Sequence, residues 1–95
     1  MSVHVVAHFY ALAGRGPEVE SLLRPLVTPT TAEDGCVFYR YFRDNDDADH
    51  FVFVEEWRDD QSLDVHLRGP RVTTMRAAAE PLLAEPIQGF RMTMV

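Results

Sequence analysis

Apolar and polar positions first alternate with a period of two. Val3, Val5, Ala7, Phe9 and Ala11 form a wholly apolar set, while His4, Val6, His8, Tyr10 and Leu12 form a mixed one. That alternation predicts a strand over Val3–Leu12 with its apolar face on the core. The period then changes. In "GRGPEVESLLRPLV", Val19, Leu22, Leu23, Leu26 and Val27 recur at helical spacing. Pro17 suits a first turn, and Glu18 and Glu20 suit the positive end of the helix dipole. Pro25 and Pro29 are expected to kink this helix or end it before "AEDG".

Cys36–Arg43 reads as an aromatic second strand, "DNDDAD" as a polar turn and His50–Trp57 as a third strand, the last two strands forming a hairpin. Asp59 or Asp60 can cap a short helix over Gln61–Arg68. A further helix begins at Pro70, carries Val72, Met75, Ala79, Leu82 and Leu83 on one face, and ends through Pro81 and Pro86. Ile87–Val95 is the last predicted strand. The order β-α-β-β-α-β predicts one α+β domain over residues 1–95 with a ferredoxin-like split arrangement, an antiparallel sheet with its helices on one face.

The other sheet face is left uncovered. Val6, Tyr10, Leu12, Val52, Val54, Phe90, Met92 and Met94 would all point away from the helices. So large an apolar patch on a small chain marks an interface, and the expectation is a homodimer packed sheet to sheet.

Composition narrows the function. The 95 residues are 46% hydrophobic and carry a net charge of -6, and all nine basic residues are scattered arginines. A nucleic-acid partner is therefore not expected, for want of a basic face. No apolar run approaches the roughly 18 residues of a membrane span, so neither a membrane partner nor a membrane location is expected; the reading is a cytoplasmic protein. The single Cys36 allows neither a disulfide nor a CxxC motif, and after Gly35 it reads as a small hydrophobe.

The glycines of "GRGPEV" stand where a dinucleotide fingerprint could, but Val19 replaces the third glycine, so they read as a turn. His4 and His8 share a strand face yet lie about 13 Å apart along it, too far to share an ion, so no metal site is expected. The candidate chemistry lies in "VEEWRDDQSLDVHL". Strand alternation groups Phe51, Phe53, Glu55 and Trp57, and helical spacing groups Leu63, His66 and Leu67. If both groups face the same gap, Trp57, Glu55 and His66 line a pocket between sheet and helices, whose apolar walls would shift both titratable groups. The alternative is a core histidine with Trp57 as corner packing.

"EDGCVFYRYFRD", the Asp-rich turn, "FVFVEEW", "SLDVHLRGP" and "EPLLAEP" together resemble the antibiotic biosynthesis monooxygenase domain family, with Gly35-Cys36, Tyr39, Glu55, Trp57, Leu63 and His66 as the markers. The resemblance implies a ferredoxin-like homodimer whose sheets form a barrel and whose ligands bind between helices and sheet. Members include cofactor-independent oxygenases of quinols and anthrones, haem degraders and a quorum-signal isomerase. Phe53 stands where the anthrone oxygenases carry an asparagine, and Phe9 and Arg76 stand where the haem degraders carry an asparagine and a histidine. The resemblance therefore implies an oxygenase of a small quinol-like or polyphenolic aromatic, working without a cofactor. His66 or Glu55 would be the base, and Trp57, Phe9, Phe53 and Tyr39 would contact the substrate. A small-molecule binding or sensing module without turnover, or an isomerase of a small metabolite, would use the same pocket.

Overall fold

In the computed structural model, which describes residues 2–95, the elements are β1 (Val3–Tyr10), α1 (Gly16–Leu23), a 3-10 turn (Arg24–Leu26), α2 (Val27–Thr31), β2 (Cys36–Asp44), β3 (Asp47–Trp57), α3 (Asp60–Arg68), α4 (Pro70–Ala79), a second 3-10 turn (Glu80–Leu82) and β4 (Gln88–Met92). The sheet runs β2-β3-β1-β4, and every neighbouring pair is antiparallel. This is the predicted α+β split arrangement.

The boundaries depart from expectation for local reasons. The first predicted helix is three pieces, because Pro25 has no N–H to continue the ladder. β3 begins at Asp47, not His50, because the turn is tightened to Asn45-Asp46 by acid side chains: Asp44 Oδ1 accepts from the Asp46 N–H at 2.9 Å, and Asp47 Oδ1 from that of Asp49. The last strand is shorter than predicted and ends at Met92, which leaves Met94 outside the sheet face to which the sequence pattern assigned it.

The core lies between sheet and helices. Phe9, Phe51, Phe53 and Trp57 from the inner sheet face meet Val19, Leu23, Leu26 and Leu63 from the helices, all buried. The outer face carries Val6, Val52 and Val54 half-buried, with Phe42, Phe90 and Met92 about half exposed at 51%, 47% and 47%. One polar chain crosses it. Asp44 accepts from His50 Nδ1 at 2.8 Å, and His50 Nε2 meets His8 Nδ1 at 2.9 Å. The Tyr10 ring lies parallel to His50 at 4.3 Å between centroids. Register pairs His50 with Tyr10 and so sets the strand-three histidine diagonal to His8, on the same face. No group of three or more His, Cys, Asp or Glu side chains among the described residues could hold a metal ion. No helix among them is long and apolar enough to cross a membrane.

The "GRG" segment is a turn closed by an acid. Asp49 accepts from the Gly14 and Gly16 N–H groups at 3.1 and 2.9 Å, and Gly16 lies so close to β3 that a Cβ there would sit 2.2 Å from the Ala48 carbonyl oxygen. Gly16→Ala is expected to cost about 1–3 kcal/mol through this backbone clash, measured as a lower denaturation midpoint with an unchanged slope.

Candidate functional site

Site geometry follows from how the chain leaves β3. The Arg58 N–H bonds to the Gly35 carbonyl at 2.7 Å, tying the strand end to the loop before β2. Asp59 is the helix cap, accepting from the Ser62 N–H at 2.8 Å. The first turn of α3 rests directly on Gly35, whose φ of +85° and whose missing Cβ, which would lie 2.2 Å from Ser62 Oγ, both require glycine. Two turns of helix then carry His66 back over the strand end, where its ring lies 4.7 Å from the Trp57 ring and 5.8 Å from that of Tyr39.

Below the helices the sheet's inner face is hollowed. Tyr39 and Glu55 occupy one row with Val5 and Arg91, while the next row holds Phe53, Ala7 and Gly89. Ala7 is small, and a Cβ added to Gly89 would meet nothing within 4 Å. The resulting cavity, about 300 Å³, is walled by Phe9, Tyr39, Phe53, Glu55, Leu63 and His66 from the groups named above, with Val72, Met75 and Arg76 from α4 at i, i+3 and i+4. It is of the size that holds a small ligand.

The polar groups have distinct roles. Glu55 is 5% exposed, and Oε1 accepts from the Trp57 indole N–H at 2.8 Å. Burial pushes its carboxyl up to about 7; the indole bond opposes that shift and the charge of Glu33 reinforces it. His66 Nδ1 lies 3.2 and 3.1 Å from the two carboxylate oxygens of Glu33, which Arg71 also holds at 2.7 Å. Nδ1 therefore carries the donated proton, and Nε2 is the nitrogen left for a ligand. Burial raises the Tyr39 phenol far above its ordinary range, with Glu55 and Glu33 adding to the effect, so it stays a donor. Cys36 is pushed up to about 11, by burial first and then by Glu55 and Glu33; a thiol held so protonated is a poor nucleophile.

Of the residues singled out in the sequence, His66, Glu55, Phe9, Phe53 and Tyr39 all line the cavity. Trp57 does not. It is fully buried one layer behind, under His66 and against Glu55, so it cannot stack on a ligand in this arrangement; the strand's last inward position lies beneath the first helix after it. Glu33 and Arg71 escaped the sequence reading because a loop acid and a helix arginine far apart in the chain carry no periodicity. "AEDG" beside a capped helix is the only hint, and a weak one.

Comparison with known proteins gives the same assignment. Residues 2–78 match the profile of the family described as Antibiotic biosynthesis monooxygenase. The chain belongs to that family. It is 33% identical over 85 residues, 90% of this chain and 83% of the relative, to Rv0793 of Mycobacterium tuberculosis, which is provisionally named a monooxygenase. The structure of Rv0793 superposes with a TM-score of 0.92 at 29% identity, covering 100% of this chain and 96% of that one. PA3566 from Pseudomonas aeruginosa gives 0.92 at 29% identity over 99% and 94%. An uncharacterised Synechocystis protein, sll1783, is 30% identical over 71 residues; these are 75% of this chain but 48% of that relative, so the match spans about half its length.

Glu55 also links the site to stability. Its folded value of about 7 lies above the ordinary 4.5, so the folded state binds the proton more tightly than the unfolded chain. Its stabilising effect is complete below pH 4.5 and is lost as pH rises through about 7, an effect on the order of 3 kcal/mol. Denaturant melts of the wild type and Glu55→Gln between pH 5 and 8 should show the wild type losing stability relative to the variant across that range.

Proposed function

We propose that this protein is a monooxygenase of a small quinol-like or polyphenolic aromatic, needing no cofactor because the substrate itself supplies the electrons. The observation that carries the reading is Glu55, a carboxyl with a neutral-range pKa in the wall of a cavity otherwise built of Phe9, Phe53, Tyr39 and Leu63. A base works best when its pKa lies near the working pH. Glu55 takes the phenolic proton, and the phenolate so formed, shielded from water, is electron-rich enough to pass an electron to O₂. Recombination forms a bond between ring carbon and oxygen. The O–O bond then breaks, one oxygen staying as the quinone carbonyl and the other leaving as water with the phenolic and ring hydrogens. Phenol plus O₂ thus balances quinone plus water, with no outside reductant.

Within this reading Tyr39 donates to the developing oxyanion, and Phe9 and Phe53 pack on the ring. His66 Nε2, oriented by Glu33 through Nδ1, is the second proton carrier. Trp57 acts through Glu55 and touches no substrate. The resemblance left the base as His66 or Glu55; the carboxyl is the better candidate because its pKa, cavity position and donor partner all suit the step.

Oxygen uptake by the purified protein with menadiol or a dihydroxynaphthalene should exceed the buffer blank and rise with pH toward a plateau above about 7, as Glu55 ionises. Glu55→Gln should lower it by about 10²- to 10⁴-fold and flatten the pH profile. Uptake no faster than the blank across a panel of quinols would remove the oxygenase reading. Two proton carriers, Glu55 and His66, on one cavity favour a second reading: isomerisation of a small metabolite, with a proton removed at one and returned at the other. It predicts turnover that is unchanged under nitrogen.

The reading also includes a homodimer formed by the outer sheet faces, supported by the uncovered apolar side chains of Val6, Val52, Val54, Phe42, Phe90 and Met92. A standard interface takes about 800 Å² from each partner. Light scattering at micromolar concentration should give twice the chain mass. Val54→Asp should shift it to the monomer, because a carboxylate in a dry layer costs several kcal/mol. A monomeric wild type would end the dimer proposal and leave the cavity chemistry standing.

A further inference from the structure

The chain holds fifteen acids against nine arginines, and most arginines are matched. Arg15 pairs with Glu18, Arg24 and Arg43 with Glu20, Arg58 with Asp34, Arg71 with Glu33, and Arg91 with Asp60 and Asp64. Arg40 lies over the Phe38 ring at 4.2 Å. Among the described residues Arg40, Arg68 and Arg76 have no acidic partner, and of these three only Arg76 lines the cavity. In an acid-rich chain an unmatched cation at a cavity wall is a place for an anion from outside.

Its position in the cavity is defined. Arg76 and Ile87 also border the neighbouring surface depression that holds Glu80 and Glu85, neither of which forms an ion pair with Arg76. Gln88 pairs with His8, so Ile87 comes level with Phe9, whereas Glu55 pairs with Val5. Val5 and Phe9 are four strand residues, about 13 Å, apart. The proton-accepting carboxyl thus stands toward one end of the cavity and Arg76, which shares the second depression with Ile87, toward the other, with Ala7, Phe53 and Gly89 between them.

From this geometry we infer that the substrate is an aromatic acid: a fused-ring phenol whose hydroxyl meets Glu55 and whose remote carboxylate is held by Arg76. The inference rests on the aromatic-substrate reading of the same cavity and adds its charge. Arg76 is a specificity-determining residue. It takes no part in proton transfer, and a guanidinium–carboxylate pair at a partly desolvated mouth raises affinity about ten- to a hundredfold over the uncharged analogue.

The test is fluorescence titration of the full chain at pH 7.5 with 6-hydroxy-2-naphthoate and with 2-naphthol, a readout that needs no turnover. The naphthoate should bind at least about tenfold more tightly. Arg76→Gln should bring the two affinities together, Arg76→Lys should keep part of the difference, and Arg91→Gln should keep all of it. Thermal melts should be unchanged in both Arg76 variants, since that side chain is exposed. Equal affinity of the wild type for both probes, or a preference that survives Arg76→Gln or depends on Arg91, overturns the inference and leaves the aromatic pocket in place. Failure of 2-naphthol and the naphthoate alike to bind overturns both.

Discussion

The hydrogen bond from the Trp57 indole N–H to the Glu55 carboxyl, at 2.8 Å, holds a titratable group on the face of β3 that otherwise carries Phe51, Phe53 and Trp57, all essentially inaccessible to solvent. An ionised carboxylate with no donor there would cost too much to persist, and one with several donors would stay ionised to low pH. One donor is an intermediate case. It keeps Glu55 in a fixed orientation and leaves its proton affinity in the neutral range. The packing above it follows from the same pair. With the indole committed to Glu55, its face is free to support His66, and His66 in turn is fixed through Nδ1 by Glu33 and, behind it, Arg71. Two acids and a histidine are thus held without any of them being left as an uncompensated buried charge.

Strand periodicity then separates two tasks on one sheet. β3 places Phe51, Phe53, Glu55 and Trp57 on the helix side and Val52, Val54 and Glu56 on the other. A register slip of one residue would exchange these sets completely, so the cavity and the outer surface are specified together. The strand's end is secured twice, by the Asp49 bonds to Gly14 and Gly16 at the turn side and by the Arg58–Gly35 bond at the helix side. The first device keeps β3 from sliding against β1 and the second from sliding against β2. The cavity itself exists because small residues, Ala7 and Gly89, occupy the row where the helices arch over the sheet.

Much of this was decided by local sequence. Period-two alternation in Val3–Tyr10 and Phe51–Trp57, the helical spacing of Val19, Leu23 and Leu26, and the caps and prolines around Asp59, Pro17 and Pro25 determined the element order, the split β-α-β-β-α-β fold and which side chains face the core. They did so because each signal concerns residues within one or two turns or pleats of each other. The gathering of Glu55, Phe53 and His66 was legible for the same reason, once strand and helix faces were known to meet, whereas Phe9 and Tyr39 entered the site only through the family resemblance. Tertiary structure alone decided the rest. Whether Trp57 stands in the cavity wall or behind it depends on how steeply α3 folds back, which Gly35 and Ser62 determine by contact across 27 residues of chain. The partners of His66 and of His8, Glu33 and His50, come from loop placement and strand register at separations of 33 and 42 residues. The placing of Arg76 at the cavity wall beside Ile87, unmatched by any acid, comes from how α4 lies over the sheet. Pairings at such distances leave no period in the sequence, because they are fixed by packing and not by the repeat of any one element.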